Sequence, residues 1–115
     1  MKLNFYQQLN EIENIISMFI FNDILLGGDF HYDSSRMSRF CRIISEFISK
    51  NDLVSLWSKF QCDFTYQHVN LTSLSTIDHF FVTSDFLVNC IDAAPIQLAD
   101  SRSNHSPIML KIQFP

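Results

Sequence analysis

Residues 24–29 have the sequence ILLGGD, an apolar run that stops at two glycines and an aspartate. Large aliphatic side chains that follow one another without alternation are typical of a central β-strand covered on both faces. The glycine pair predicts a tight turn where this strand ends. The stretch therefore predicts a strand in the middle of a sheet, with Asp29 at its carboxyl edge.

A helix is predicted on each side of this strand. Apolar residues recur at helical spacing over residues 4–19, and Asn4 and Gln7 have the spacing of a capping box. The second helix has Ser34 or Ser35 as its predicted N-cap. Its apolar stripe is formed by Met37, Phe40, Cys41, Ile44, Phe47 and Ile48.

Three arginines, Arg36, Arg39 and Arg42, occupy another face of the second helix. Such a face is commonly a solvated polar surface. The same side chains are also suited to contact phosphate. Both interpretations of this face remain open at the level of the sequence.

Beyond Trp57 the pattern changes to short strands. They are predicted over residues 64–66, over residues 77–82, around Ile91, and over residues 108–114, where apolar side chains alternate and indicate one core face. The connections are polar, and neither an internal repeat nor a dividing linker is present. The pattern predicts one α/β domain over residues 1–115.

The composition limits the possible functions. The chain has 115 residues, of which 47% are hydrophobic, and this content predicts a folded domain. Its formal charge of −4 argues against a broad basic surface that could bind DNA. Three unevenly spaced cysteines predict reduced thiols and no zinc site. Polar residues interrupt the apolar ones near the N-terminus, which argues against a signal peptide or a membrane span. We expect an intracellular protein of the nucleus or cytoplasm, not a secreted one.

Polar side chains cluster where the predicted strands end. Asp29 and His31 follow one strand, Asp78 lies within another, and Asn104 and His105 precede the last. Each has an ordinary structural interpretation, because an aspartate after two glycines is commonly a turn residue and a lone histidine is commonly structural. Their combination and order carry more information than any one of them.

Three strings occur in order: LLGGDF at 25–30, STIDHFFV at 75–82 and SNHSPI at 103–108. This order resembles the exonuclease III-like endonuclease/exonuclease/phosphatase superfamily, whose pattern reads GDFN, S-x-I-D and S-D-H-x-P. The string FTY at 64–66 is similar to its F-T-aromatic segment. GDFHYD at 28–33 most resembles the endonuclease domains of LINE-type (non-LTR) retrotransposons.

The resemblance implies an α/β fold, the four-layer sandwich of two helix-flanked sheets, of which residues 1–115 would be the C-terminal half. It implies an Mg²⁺-dependent phosphodiester hydrolase that cuts DNA and is associated with a reverse transcriptase. The N-terminal half, with part of the site, would be missing. Another chain or that half would then cover the exposed sheet, and no membrane is involved.

The resemblance also assigns roles to residues. Asp29 would position the nucleophile or protonate the leaving group and help bind the metal, while His105 would contact the scissile phosphate or activate water. Asp78 would orient His105, because a carboxylate that accepts from one imidazole nitrogen fixes the tautomer. Tyr66 would line the nucleotide pocket, with a core position as its alternative. Neighbours in a strand face opposite ways, so His79 is predicted to pack away from the site.

Two positions depart from the family pattern. His31 stands where the family has a substrate-binding Asn, and Asn104 stands where it has an Asp that holds the metal or its water. A neutral amide removes an electrostatic contribution worth about 3 to 4 kcal/mol of barrier. The sequence therefore predicts weak catalysis, or none, by this chain alone.

Three interpretations follow. The first is a nuclease half that needs a complementing N-terminal segment. The second is a non-catalytic remnant that contacts nucleic acid or protein through its arginine face. The third is a metal-binding module that uses Asp29, His31, Asp78 and His105, although their spacing specifies no zinc site.

Overall fold

The computed structural model describes residues 4–19, 22–36, 38–68, 73–97 and 104–114. Over these ranges the chain forms helices and short antiparallel strands. The helices are α1 (Phe5–Met18) and α2 (Arg39–Lys50), with 3₁₀ helices at Leu56–Ser58 and Ser84–Asn89. The strands are β1 (Leu25–Asp29), β2 (Leu53–Ser55), β3 (Tyr66–Gln67), β4 (Leu74–Ser75), β5 (Asp78–Thr83), β6 (Cys90–Pro95) and β7 (Ile108–Ile112).

Helix α1 begins with the predicted capping box. The Asn4 side chain accepts from the Gln7 amide, and the Gln7 side chain accepts from the Asn4 amide, each at 2.9 Å. This reciprocal pair satisfies two backbone donors that a helix start otherwise leaves unpaired. The predicted helix over residues 4–19 is confirmed, and it buries Leu9 against the core.

Helix α2 begins later than predicted. Its N-cap is Ser38, whose hydroxyl accepts from the Cys41 amide at 3.1 Å, so the prediction of Ser34 or Ser35 is wrong. Ser35 is instead held in the preceding turn, where its amide donates to Asp33 Oδ1. The predicted apolar stripe is buried at Cys41, Ile44 and Phe47 and half-buried at Phe40 and Ile48; Met37 lies outside the described residues.

The main sheet has the strand order β1-β5-β2, with both pairings antiparallel. The predicted central position of β1 is wrong for the described residues, because β5 is central and β1 pairs with it along one side only. Phe81 and Val82 of β5 are fully buried, whereas Leu25 of β1 is 43% exposed. A central strand needs backbone pairing along both of its edges, and the described residues supply a partner for β1 along one edge only.

Gly27 allows β1 to approach β5 closely. A Cβ atom at this position would lie 3.0 Å from two carbons of the Phe80 ring. Gly28 has a φ of 149°, which side chains rarely tolerate. The glycine pair therefore shapes the end of β1 that leads into Asp29.

The remaining strands form two small sheets. Strand β3 pairs with β4, and β6 pairs with β7 with an irregularity between Cys90 and Asp92. Strand β7 alternates between half-buried and exposed residues, as its sequence pattern predicts. The sequence pattern missed β2 and β4, which are only three and two residues long.

Two clusters of buried side chains hold these elements together. The first joins both helices to the main sheet and consists of Leu9, Ile44, Phe47, Leu53 and Phe81. The second joins β5 to β6 and consists of Leu56, Val82, Cys90 and Ala93. Strand β5 contributes to both, so the strand that contains Asp78 is anchored from each face.

Cys41, Cys62 and Cys90 are all free thiols. Of the helices formed by the described residues, none combines the length and the apolar character needed to cross a bilayer.

Candidate active site

Strand pairing places two carboxylates side by side. In the antiparallel ladder of β1 and β5, Asp29 is directly opposite Asp78. Opposite residues in such a pair share one face of the sheet, with side chains close enough to interact. Like charges at this spacing repel each other, so the arrangement favours a cation between them.

His105 supplies the bridge between the two strands. Its Nδ1–H donates to Asp78 Oδ2 at 2.9 Å, and its Nε2 lies 3.7 Å from Asp29 Oδ2. One ligand atom from each of the three residues lies within 4.8 Å of the others. The structure thus brings together three residues that are far apart in the sequence, as the motifs predict.

The backbone around His105 is fixed by the strand that contains Tyr66. The Gln67 amide donates to the Asn104 carbonyl at 2.9 Å, and the Ser106 amide donates to the Thr65 carbonyl at 2.7 Å. The ring of half-buried Tyr66 lies against the His105 ring, with centroids 4.9 Å apart. Tyr66 therefore borders the cluster and limits how His105 can rotate.

Thr65 positions Asp78, a role that sequence reasoning missed. This threonine is fully buried, and its Oγ1 accepts from the amides of Ile77 at 3.1 Å and Asp78 at 3.0 Å. These bonds secure the start of β5 at the point where the carboxylate emerges. Thr65 is the middle residue of the FTY string, which was the available signal.

Asp33 is the second residue that sequence reasoning missed. It is buried, and its carboxylate accepts from the amide and hydroxyl of Ser35 and from the Thr76 amide at 2.9 Å. Burial alone would raise the pKa of Asp33, but these hydrogen bonds and the charge of Arg36 outweigh it and lower the pKa. The charged carboxylate ties the loop after Asp29 to the segment before Asp78.

His31 lies beside the cluster but outside it. Its backbone has a φ of 51°, and its amide donates to Asp29 Oδ1 at 2.9 Å. Its side chain is 73% exposed, with Nε2 3.8 Å from Asp29 Oδ2. The metal-ligand cluster found among the described residues contains Asp29, Asp78 and His105 without His31, which weakens the hypothesis of a four-ligand module.

Asn104 is exposed and adjoins the site through its neighbour His105. Its carbonyl takes part in the strand-like contact with Gln67. A role of Asn104 at the metal stays a prediction.

His79 faces away from the cluster and packs in the core, as predicted. It is 3% exposed and stacks on Phe81 with ring centroids 5.0 Å apart. Its Nε2 donates to the Tyr32 carbonyl at 2.6 Å, and its Nδ1 lies 3.3 Å from Ser55 Oγ. Burial lowers the pKa of His79, against the opposing effect of the carbonyls of Tyr32 and Thr76.

This lowered pKa predicts a pH dependence of stability. A histidine whose pKa is lower in the folded than in the unfolded chain binds fewer protons when folded, so the free energy of unfolding decreases as the pH falls below about 6.5. We expect urea unfolding to show lower stability near pH ~5.5 than near pH ~7.5, and His79→Gln to remove part of that difference. The control is His68→Gln, at an exposed histidine. An equal effect of the two substitutions would contradict the prediction.

The donor set is compatible with a hard divalent cation. Mg²⁺ in proteins commonly takes one or two carboxylates and completes its shell with water and substrate phosphate. Asp29 has a partly exposed carboxylate whose Oδ2 faces the cluster. The Asp78 carboxylate is engaged by His105, which suits it to orient the imidazole more than to bind metal. The residues thus fit a site in which Asp29 is the ligand of this chain.

The chain has the fold of the endonuclease/exonuclease/phosphatase proteins, so the predicted α/β fold is confirmed. No protein-family model matches the sequence, and neither does any curated protein. The similarity lies in the structure. A protein of that family from Leptotrichia buccalis has a TM-score of 0.58 at 19% identity, and the match covers 88% of this chain and 40% of that one.

Two of the similar structures are phosphatases. The 3′ phosphatase NExo from Neisseria, bound to a product DNA hairpin, has a TM-score of 0.75 at 13% identity, with 95% of this chain and 53% of that chain covered. The mannosyl-6-phosphatase from Bacteroides thetaiotaomicron has a TM-score of 0.64 at 18% identity, with 92% and 44% covered. The chain therefore spans about half the length, or less, of these proteins.

Proposed function

We propose that the chain carries part of the active site of a metal-dependent phosphoester hydrolase. The observation that supports this most directly is the contact chain from Asp78 through His105 to Asp29, with its 2.9 Å hydrogen bond and its 3.7 Å approach. The strings that contain these three residues resemble the motifs of the endonuclease/exonuclease/phosphatase proteins, whose fold the chain shares. Asp29, Asp78 and His105 are the proposed catalytic and positioning groups.

Asp78 determines what His105 can do. A carboxylate that accepts from Nδ1–H holds the imidazole in one tautomer, so in the neutral ring Nε2 has the lone pair. That nitrogen faces Asp29 Oδ2, on the side where a phosphate and an attacking water would lie. His105 can then accept a proton at Nε2 and hold it near Asp29, which is a general-base role worth about 10²–10⁴ in rate.

We assign Asp29 as the metal ligand of this chain and Asn104 as a weakened second position. A divalent cation bound there stabilises the negative charge that develops on the phosphate. Asp29 accepts from the His31 amide through Oδ1, which orients the carboxylate and leaves Oδ2 toward the cluster. By resemblance to the family, the cation is Mg²⁺, and His31 and Tyr66 contact the substrate.

We propose DNA as the substrate. The GDFHYD string at 28–33 resembles the retrotransposon endonucleases, and the neisserial 3′ phosphatase with the same fold is bound to a DNA hairpin. More specifically, we propose a retrotransposon-type endonuclease that acts in the nucleus or cytoplasm. A sugar phosphatase of the same fold shows that phosphoester substrates vary widely within it.

The remaining half of such a site is proposed to come from further sequence of the same protein or from another chain. The similar structures are about twice as long as this chain. Among the described residues, the outer edge of β1 has no paired strand, and Leu25 is exposed there. A complementing segment that pairs with this outer edge of β1 would extend the sheet.

The two altered positions favour a second candidate function. With His31 and Asn104 at positions where the family has Asn and Asp, the chain would be a non-catalytic remnant that only contacts nucleic acid or protein. The two candidates differ in whether phosphoester cleavage depends on His105.

His105→Ala is therefore the deciding substitution. We expect it to reduce Mg²⁺-dependent nicking of supercoiled plasmid, and release of phosphate from a 3′-phosphorylated DNA hairpin, by about 10²-fold or more. The chain is assayed alone and mixed with the N-terminal half of a family nuclease. The matched control is His68→Ala, at an exposed histidine outside the cluster, with EDTA as the metal control. Hydrolysis that is equal in both variants, or absent from every mixture, would leave the non-catalytic candidate.

A further inference from the structure

A second cleft, of about 320 Å³, lies along the N-terminal part of α2. It is lined by all three arginines among the described residues: Arg36, Arg39 and Arg42. Its other polar lining consists of hydroxyl groups, among them those of Tyr32, Ser34 and Ser45. No carboxylate is part of this lining, although the chain as a whole has a net charge of −4. We call this feature the arginine cleft.

The start of α2 adds to the positive charge. Arg39 is the first residue of the helix and Arg42 follows one turn later, where the aligned peptide dipoles place a partial positive charge. The first turn contains no acidic residue. Basic side chains normally favour the opposite end of a helix, so this placement is unfavourable unless an anion is bound.

The arginine cleft is also held in shape before any ligand arrives. Arg36 lines the cleft, and its Nη2 donates to the hydroxyl of buried Ser75 at 2.7 Å, which fixes the position of the guanidinium group. Ser45 Oγ donates to the Tyr32 hydroxyl at 3.3 Å, and Tyr32 keeps its own O–H for donation. The ion pairs found in the described part of the chain involve His31, Lys50 and His105, not these arginines.

We propose that the arginine cleft binds a phosphate group. Guanidinium groups match phosphate oxygens with paired, charge-assisted hydrogen bonds, and a helix N-terminus adds backbone donors and a favourable dipole. The phosphate belongs either to a nucleic-acid strand or to a small phosphorylated molecule, since both present the same chemistry. This binding site is separate from the Asp29, Asp78 and His105 cluster and does not require hydrolysis.

The test is a binding measurement on this chain with EDTA present, so that no metal-dependent cleavage occurs. Amide resonances are followed by NMR during titration with inorganic phosphate and, separately, with a short DNA duplex. Binding of the same duplex, labelled, is also followed by anisotropy. The variant is Arg39→Gln with Arg42→Gln. The control, Lys50→Gln with Lys111→Gln, removes the same charge elsewhere on the surface. A charge-retaining variant, Arg39→Lys with Arg42→Lys, accompanies them.

We expect the glutamine variant to bind DNA at least about tenfold more weakly at low salt, and the slope of log K against log salt to decrease by roughly one. The control is expected to change affinity less than about twofold, and the lysine variant to keep most of the salt dependence. The glutamine variant leaves Asp29, Asp78 and His105 unchanged and EDTA prevents hydrolysis, so a loss of binding would report on the arginine cleft and not on the proposed catalytic site.

The two titrations, with inorganic phosphate and with DNA, also identify the source of the phosphate. Resonance shifts at the arginine cleft with both anions support a backbone phosphate, and shifts with inorganic phosphate alone support a small phosphorylated ligand. Equal weakening by the glutamine variant and the control would overturn the proposal, because binding would then follow net charge. Absence of shifts at the cleft with either anion, in a folded chain, would also overturn it and leave a solvated face.

Discussion

Replacing Asn104 by Asp and His31 by Asn in the same chain is expected to raise Mg²⁺-dependent hydrolysis by about 10²–10³-fold. The aspartate would add a negative charge next to His105, in a cluster that already contains Asp29 and Asp78. More carboxylate charge increases the affinity for a divalent cation and stabilises its placement. At position 31, Asn would restore a short amide donor, and Asn tolerates the φ of 51° found there better than most residues.

The single substitutions separate the two contributions. Asn104→Asp alone is expected to account for most of the gain and to increase the affinity for Mn²⁺ used as a spectroscopic probe. The matched control is Asn22→Asp, which adds the same charge at an exposed position between α1 and β1. Plasmid nicking and metal titration are the measurements. If the double variant folds but neither binds metal more tightly nor cleaves faster than the parent chain, the proposed roles of these two positions are wrong.

Asp33→Ala is expected to lower the free energy of unfolding by about 3 kcal/mol, because it leaves the amide of half-buried Thr76 and the amide of Ser35 without their acceptor. A domain of this size is typically stable by about 5–15 kcal/mol, so such a loss is a large fraction of the total. The melting temperature should fall by roughly 10–20 °C.

Thermal and urea unfolding followed by circular dichroism would measure this effect. Asp23→Ala removes an exposed carboxylate before β1 and serves as the control, with an expected change below about 0.5 kcal/mol. The loss of stability caused by Asp33→Asn is expected to lie between those of Asp33→Ala and Asp23→Ala. The amide keeps one acceptor oxygen but places its own donors against the donors of Ser35 and Thr76. Equal stability of Asp33→Ala and Asp23→Ala would show that the Asp33 contacts contribute little.

The sequence predicted the convergence of the site better than it predicted the sheet. Asp29, Asp78 and His105 meet because the order of the motifs resembles a known family; no local pattern shows that residues so far apart become neighbours. The capping box at Asn4 and the alternation of β7 were readable because they depend on residues only a few positions apart. Contacts between residues this close in sequence depend little on the rest of the fold.

The errors have a common physical cause. Ser35 looked like a helix cap, but Asp33 engages it in a turn, and Asp33 is fixed by Thr76, which lies 43 positions further along the chain. The apolar run at 24–26 predicts a central strand, but pairing depends on strands that are distant in the sequence, and the described residues pair β1 with β5 alone. The FTY string does not reveal the role of Thr65, because its two amide partners, Ile77 and Asp78, lie 12 and 13 positions further along the chain.

The close approach at Gly27 has a consequence for how this protein tolerates mutation. A methyl group there would lie 3.0 Å from two carbons of the Phe80 ring, so this half-buried ring would have to shift by a few tenths of an ångström. The Phe80 ring thus limits the size of the residue at this uncharged position, which is two residues from Asp29. We therefore expect amino-acid substitutions to be tolerated least where β1 and β5 are in contact, and more on the helices that cover these strands.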